Sequence, residues 1–558
     1  MGRFSYRWFL YPLWNMILVN RAYPLTLEEQ VRKTKAFIQS SRRARHGCRT
    51  FVSHALAESW WERVWIIQEV AVSANAIVHW GKTRINFEVL SSIAAPIEIA
   101  AQDLVQSKTM ETAHIPEFRN LVALRRLYRL SRLYRHDEPV LQIDTLLQAF
   151  RGSKATDSRD KVFALIGLLR EPQHPLLTVD YSKAIRDVYR DATLYSILTS
   201  KSLDIICLSE SEPGLHGLSS WVPDWSSTSI HGLWPSVTRP KAAKPSPLVA
   251  CYQEPLPLQI DLDHSNIRRG PGGPRAPDAP GHYSASGDRP MSIHVDYSTS
   301  TLRCTGIYVD EIADVVQLPL LQMSKYGSIL DFTEWKRTLI RRLGHGEFNG
   351  FSILDFPNFI ADTKTVAASK DDFDWQNWKS IISRPEYRHW ELWLDGTRPE
   401  VLTDLGKEAY MTGENLCSTL ARTLCGDYVM RVNGRFTRPT DQDVADFWRF
   451  AKNVAVSPLV LYGNLELPGP LMFRSMMAHI CNRVLFITKM GFVGVGPPEA
   501  RVGDLVSVLY GCSVPVVLRR EGQGHTFVGE SMMGGLMDGE ALLLHEAGIR
   551  IEEEFVLQ

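Results

Sequence analysis

Apolar residues in the first half of the chain recur at intervals of three and four. Over residues 60–74, Trp61, Val64, Trp65, Ala71 and Val72 keep this spacing, which predicts an amphipathic helix with one face turned to a core. Residues 76–80 predict a short strand ending at Gly81, and further helices are predicted over 121–134, 160–169 and 183–199. After one more helix at 441–451, the pattern changes to short β-type runs between turn signals. These are residues 484–488, 491–495, 504–509, 514–518 and 526–530. Five strands so closely spaced predict a small barrel or sandwich.

Proline and glycine divide the two patterns. Eleven of the 31 prolines fall within residues 235–290, densest with glycine from 266 to 290, and such a stretch cannot hold a regular ladder. The expected divisions are an atypical segment 1–50, a first domain 51–150, a helical extension 151–234, a Pro/Gly-rich linker 235–298, a mixed and mainly helical region 299–480, and a small β-rich domain 481–558. The 558 residues carry 62 basic and 62 acidic side chains, a balance with no global attraction to nucleic acid. Arg3 and Arg7 precede an apolar run at 8–19 that imitates a secretory leader. Pro12 and Asn15 interrupt the run, no small-residue cleavage site follows, and no stretch reaches the length of a membrane span. A cytoplasmic chain is expected. Its eight cysteines lack CxxC spacing and neighbouring histidine pairs, so reduced thiols and no metal site are expected.

Familiar signatures of catalysis are absent: there is no P-loop, HExxH, GxSxG or kinase set. Gly491-x-x-Gly494-x-Gly496 is followed by Pro497-Pro498 rather than a helix start, so it reads as a turn and not a phosphate cradle. His525 and Asp538 read as parts of a hairpin loop and a turn. Arg125, Arg126, Arg129, Arg132 and Arg135 form a stripe that reads as a solvated helix face. On the wheel of 61–72, Trp65 and Gln68 share the apolar face, Glu69 lies at its rim about 40° from Trp65, and Glu62 lies on nearly the same side. A carboxylate held against tryptophan suits acid–base or cation-stabilising work, whereas a rim glutamate in water does not.

The same residues carry a resemblance. The stretch 61–71, with Trp61, Arg63, Trp65, Gln68 and Glu69, resembles the W-x-R-x-W-x-x-Q-E motif of fungal heterokaryon incompatibility (HET) domain proteins. Residues 157–168, with Asp157, Arg159, Asp160 and Lys161, then Asp180-Tyr181-Ser182, then Trp221-Val222-Pro223-Asp224-Trp225 resemble the same family in the same order. Residues 491–504 and 536–540 are similar to its C-terminal tail. The family's opening blocks, of the kind Y-x-A-L-S-Y-x-W-G and L-W-I-D-A-I-C-I-N-Q, have no counterpart before Trp60, so the domain is expected to be truncated at its N-terminus.

The family resembles TIR domains, which implies an α+β or α/β chain. An incomplete flavodoxin-like first domain with a parallel sheet would precede a helical extension. Losing the first strands should leave that piece marginal unless another segment covers it. The likeness also implies a chemistry, because many TIR domains cleave NAD with a glutamate in a motif like W-C-x-x-E-L. Trp65 to Val70 is similar in pattern and puts Glu69 in the catalytic place, with NAD as substrate and no resident cofactor. Three functions stand as expectations. The first is a protein of fungal non-self recognition and programmed cell death acting through protein contacts, including contacts with copies of itself. The others are an NAD glycohydrolase using Glu69 and a truncated, inactive product.

Overall fold

The computed structural model describes residues 27–51, 58–80, 83–92, 142–169, 174–209, 217–227, 283–317, 322–324, 327–330, 416–430, 436–454, 459–461, 483–490, 492–546 and 548–558, with single positions between 97 and 134 and between 472 and 479. The apolar run 8–19, the arginines of the 125–135 stripe and residues 235–282 of the expected linker lie outside the described residues.

Helices dominate the first part of the chain: α1 (Leu27–Ser40), α2 (Arg42–Thr50), α3 (Trp65–Val72), then a hairpin of β1 (Ile77–Trp80) and β2 (Thr83–Asn86), followed by α4 (Phe87–Ser92), α5 (Ile143–Ala149), α6 (Asp160–Ile166) and α7 (Ile185–Ser200). The single helix expected over 60–74 is broken. Ser59–Glu62 is a turn of 3-10 helix, and Arg63 is extended at φ −76° and ψ 136°. The cause is a partner distant in sequence: Val64 N donates to Lys154 O at 2.9 Å and Lys154 N donates to Glu62 O, a parallel bridge that helical dihedrals cannot make. Glu62 and Glu69 therefore do not share a helix, and Glu62 instead pairs with Lys154 at 2.6 Å.

The remaining elements are β3 (Ile293–Asp296), β4 (Thr301–Gln317), β5 (Gln322–Ser324), β6 (Gly327–Leu330), α8 (Leu416–Cys425), β7 (Val429–Met430), β8 (Phe436–Thr437), α9 (Asp441–Val454), β9 (Leu459–Leu461), β10 (Val484–Thr488), β11 (Val493–Gly496), β12 (Leu505–Leu509), β13 (Val516–Glu521), β14 (Gly524–Glu530), β15 (Met532–Met533), α10 (Glu540–Glu546) and β16 (Glu552–Leu557). Nine strands join in one sheet, in which β12, β13, β14, β16 and β4 follow one another and β4 pairs back onto β12, closing a ring. Closure removes the free edges those strands would otherwise expose. Every residue of β12 is buried, the mark of a strand covered on both faces.

Strand β4 is the spine of the barrel. It pairs with β3 and β16 through its first residues, with β12 through its middle, and with β10 through its end. Two register shifts, opposite Val506/Ser507 and opposite Ile487/Thr488, bend one long strand around the ring. Gly306 permits the crossing, since a Cβ there would lie 2.5 Å from Val508 O and 2.9 Å from Leu509 Cα. The glycines read as a turn at 494–496 belong to β11. Both seat the ring of Phe486, whose Cε1 would be 2.8 Å from a Cβ on Gly496.

These pairings move the expected boundaries. Residues 283–298 are not linker: Tyr283 and Ala285 are buried, and β3 is in the sheet. The region 299–480 opens with the longest strand described, and 481–558 does not close a barrel without it. Among the described residues of the first domain, β1 and β2 form one antiparallel hairpin. What covers the helices is the barrel. One core runs from Trp61, Tyr189, Trp221 and Trp225 into Leu302, Cys304, Leu509, Val516 and Leu557.

Candidate functional site

The four blocks read before residue 230 return to one place, where α3, α5, α6, the 180–183 turn and the 221–227 turn meet. Its buried half rests on two cations. Arg151 follows α5 and donates to three carbonyls: Leu208 O at 3.2 Å, Asp224 O at 3.0 Å and Ser227 O at 3.3 Å. Its guanidinium also stacks 5.6 Å above the Trp225 ring. Lys161, on α6, donates to Arg151 O at 2.8 Å and to Ser153 O. Burial, reinforced by the neighbouring Arg151 charge, pushes the Lys161 amine down to about 8. These cations serve backbone oxygens that would otherwise be buried without donors.

The outer half is a chain of polar contacts. Trp65 Nε1 donates to Asp160 Oδ2 at 3.1 Å, and Tyr181 OH donates to Asp160 Oδ1 at 2.6 Å. The bond to Asp160 pushes the Tyr181 phenol up to about 12. Arg159 pairs with Asp157 at 2.7 Å, reaches Lys183 O at 3.1 Å and Tyr181 O, and lies 5.3 Å over the Tyr181 ring. That contact holds the Asp157 carboxyl below its ordinary value, its hydrogen bond from Arg159 being the main cause. Gln68 lies against Gly167, where a Cβ would collide with the amide.

The remaining motif residues join the helices to the barrel. Trp221 is fully buried, and its Nε1 donates at 3.1 Å to Ser300 O in the turn between β3 and β4. Ser220 N donates to Gln558 O at 2.7 Å, and Ser220 Oγ accepts from Phe527 N at 2.9 Å. Pro223 stands between these anchors, and Asp224 folds onto Ser226, accepting from its N at 2.8 Å and its Oγ at 2.6 Å. A second joint, with no counterpart among the motifs, lies at Asp204. Its carboxylate accepts from Ser513 N and Ser513 Oγ, both at 2.7 Å.

The structure brings together Trp61, Trp65, Gln68, Asp157, Arg159, Asp160, Lys161, Trp221, Asp224 and Trp225 as a scaffold. Arg63 is exposed at the bridge to Lys154. Glu69 is exposed on α3, with no hydrogen bond or ion pair among the described residues. His525 and Asp538 have separate company: the His525 ring is tilted against Phe555, and Asp538 pairs with Arg438 at 2.5 Å. Arg151 escaped sequence reading although it stands ten residues before Lys161, because an isolated arginine before a glycine has no periodic signature.

Residues 464–553 match the family model of the Het-6 beta-barrel domain. The match takes in β10 to β15, α10 and the start of β16, while β3 and β4 lie outside it. It suggests a heterokaryon incompatibility-type protein. No curated protein and no solved structure matches the chain.

Proposed function

We propose that this chain is a heterokaryon incompatibility-type protein of fungal non-self recognition and programmed cell death that acts through contacts with other proteins. The observation that carries the reading is the Het-6 barrel match at 464–553. Two features support the contact mode. The motif residues spend their polar groups on backbone oxygens and on one another, as structural anchors do. Around them Val179 and Tyr181 stay exposed, an apolar and aromatic margin beside the Arg159–Asp157 pair.

The test is inducible expression of the full chain in a filamentous fungus, scoring viability and cellular NAD together. The contact reading expects death that persists in Glu69→Ala, with NAD falling no faster than in cells killed by other means. Early NAD loss that disappears in Glu69→Ala overturns it in favour of NAD cleavage. Full viability against every genetic background tried also overturns it.

A further inference from the structure

Two cysteines from opposite halves of the chain meet at the joint between the helical part and the barrel. Cys207 lies in the turn of 3-10 helix Asp204–Leu208, and Cys512 lies in the turn between β12 and β13. The two turns are fastened on either side of Cys512. Leu203 N donates to Gly511 O at 2.9 Å, Ser202 Oγ donates to the same carbonyl at 3.0 Å, and Ser513 N and Oγ both donate to Asp204 at 2.7 Å. Those bonds set the Cys207 thiol against the Cys512 sulfur, its hydrogen-bond partner, and both cysteines are free thiols. Neither is open to solvent: Cys512 is fully buried and Cys207 is 4% exposed.

The pair is in contact but unreactive while the joint is closed. The bond to Cys512, burial, and the charges of Glu530 and Asp204 push the Cys207 thiol well above its ordinary value. The thiolate is the nucleophile, so a buried pair of this kind stays inert until water and an oxidant reach it. Access requires the bonds between residues 202–204 and 511–513 to part. Once reached, the sulfurs need no large rearrangement, because groups already in contact have only to close to about 2.05 Å. Cys304 is the rival thiol. It is buried on β4 between Ile293 of β3 and Phe555 of β16, and it reaches Cys512 only through electrostatics. Two ladders hold its backbone, whereas Cys207 and Cys512 sit on turns that can shift.

We propose that Cys207 and Cys512 are a disulfide site that bolts the helical part to the barrel when a small-molecule disulfide oxidises the opened joint. The Cys512 thiolate attacks one sulfur of glutathione disulfide, whose S–S bond breaks, and one glutathione leaves. Cys207, deprotonated in turn, displaces the second glutathione from the mixed disulfide. One protein S–S bond forms, the two protein thiols give up two electrons and two protons, and two glutathione thiols take them up. Residues 208–511 lie inside the closed loop, and a cross-link over so long a loop removes much freedom from the unfolded chain.

In the experiment the full chain is incubated under native conditions with glutathione disulfide, remaining thiols are blocked, and cross-linked peptides are mapped by mass spectrometry without reductant. A Cys207–Cys512 peptide pair that reduction abolishes is the expected product, with the urea midpoint raised by on the order of 1 M over the reduced chain. Asp204→Ala, which loosens the joint, should form the pair roughly ten-fold faster or more. Cys207→Ser and Cys512→Ser should each lose both the cross-link and the gain in midpoint. If either variant fails to fold, the oxidised and reduced forms of the unmodified chain carry the test. The absence of a Cys207–Cys512 pair from both the unmodified chain and Asp204→Ala overturns the proposal. So does a dominant Cys304–Cys512 pair, a cross-link found only between copies, an oxidised midpoint no higher than the reduced one, or an Asp204→Ala rate equal to that of the unmodified chain.

Discussion

The helical part and the barrel solve the same problem by different means. Both must satisfy buried backbone carbonyls. In the barrel the strands do this for one another, through ladders that run from β12 around to β4 and close. In the helical part the elements are short and their turns meet at odd angles, so individual side chains take over. Arg151 serves three carbonyls and Lys161 two. The barrel uses ion pairs as well, Arg483 with Glu530 fully buried and Arg519 with Asp504 half-buried, but these sit on a framework that already has its hydrogen bonds. The lesson is that stability is concentrated in a few side chains on one side of the molecule and spread along the backbone on the other.

The sharpest way to break that contrast is Arg151→Ala. Three carbonyls lose a charged donor, at roughly 1–3 kcal/mol each, so a total of roughly 4 kcal/mol or more is expected in urea denaturation. A loss under about 1 kcal/mol would show that the helical part does not depend on its cations. In the barrel, Glu530→Gln leaves the Arg483 charge buried and should cost about 3 kcal/mol. The double replacement Arg483→Met with Glu530→Leu should recover most of that, because a well-packed apolar pair replaces a buried ionic one at little net cost.

The joint between the two regions comes next. Asp204→Ala removes both bonds to Ser513 and is expected to cost about 2 kcal/mol. Hydrogen exchange at residues 203 and 511–513 should rise together. Exchange confined to one side would mean that the two regions open independently.

A smaller effect is set by pH. Burial, with the nearby Arg483 charge, holds the His479 imidazole well below its ordinary value. The folded protein keeps His479 neutral where the unfolded chain takes up a proton, so this contribution is lost as pH falls below about 6.5, by at most about 1.4 kcal/mol per pH unit. Buried carboxyls such as Asp310 and Asp427 are pushed up by desolvation and act with the opposite sign. The difference between the unmodified chain and His479→Gln isolates the histidine, and a difference that does not change between pH 7 and pH 5 would rule its titration out. Least of all should Glu69→Ala matter, at within about 0.5 kcal/mol, because the side chain is exposed.

Much of the barrel was legible in the sequence. β10, β12 and the first half of β13 are rich in valine, leucine and isoleucine, β14 centres on Thr526-Phe527-Val528, and all four stand close to where the pattern puts them. β16 was not legible, because Glu552, Glu553 and Glu554 open it and glutamate is a poor strand former. Pairing with β4, from Glu552 opposite Ile307 to Leu557 opposite Leu302, overrides that preference. In the scaffold, the motif residues were identifiable, but their service to carbonyls was not. An arginine's choice of oxygen depends on which turns are brought near it, and no spacing along the chain records that.

The amino-acid sequence alone determined the local elements: the helical periodicity before residue 230, the strand runs after 483, and the positions of the motif blocks. Only the tertiary structure decided that 293–317 belongs with 484–557, that the expected helix breaks at Arg63, and that Trp221 reaches across to Ser300. The physical reason is the range of the interactions. Periodicity reports which face of an element avoids water. Which distant strand closes a ring, and which carbonyl a buried cation serves, is settled when separated segments must satisfy one another's hydrogen bonds in a shared interior.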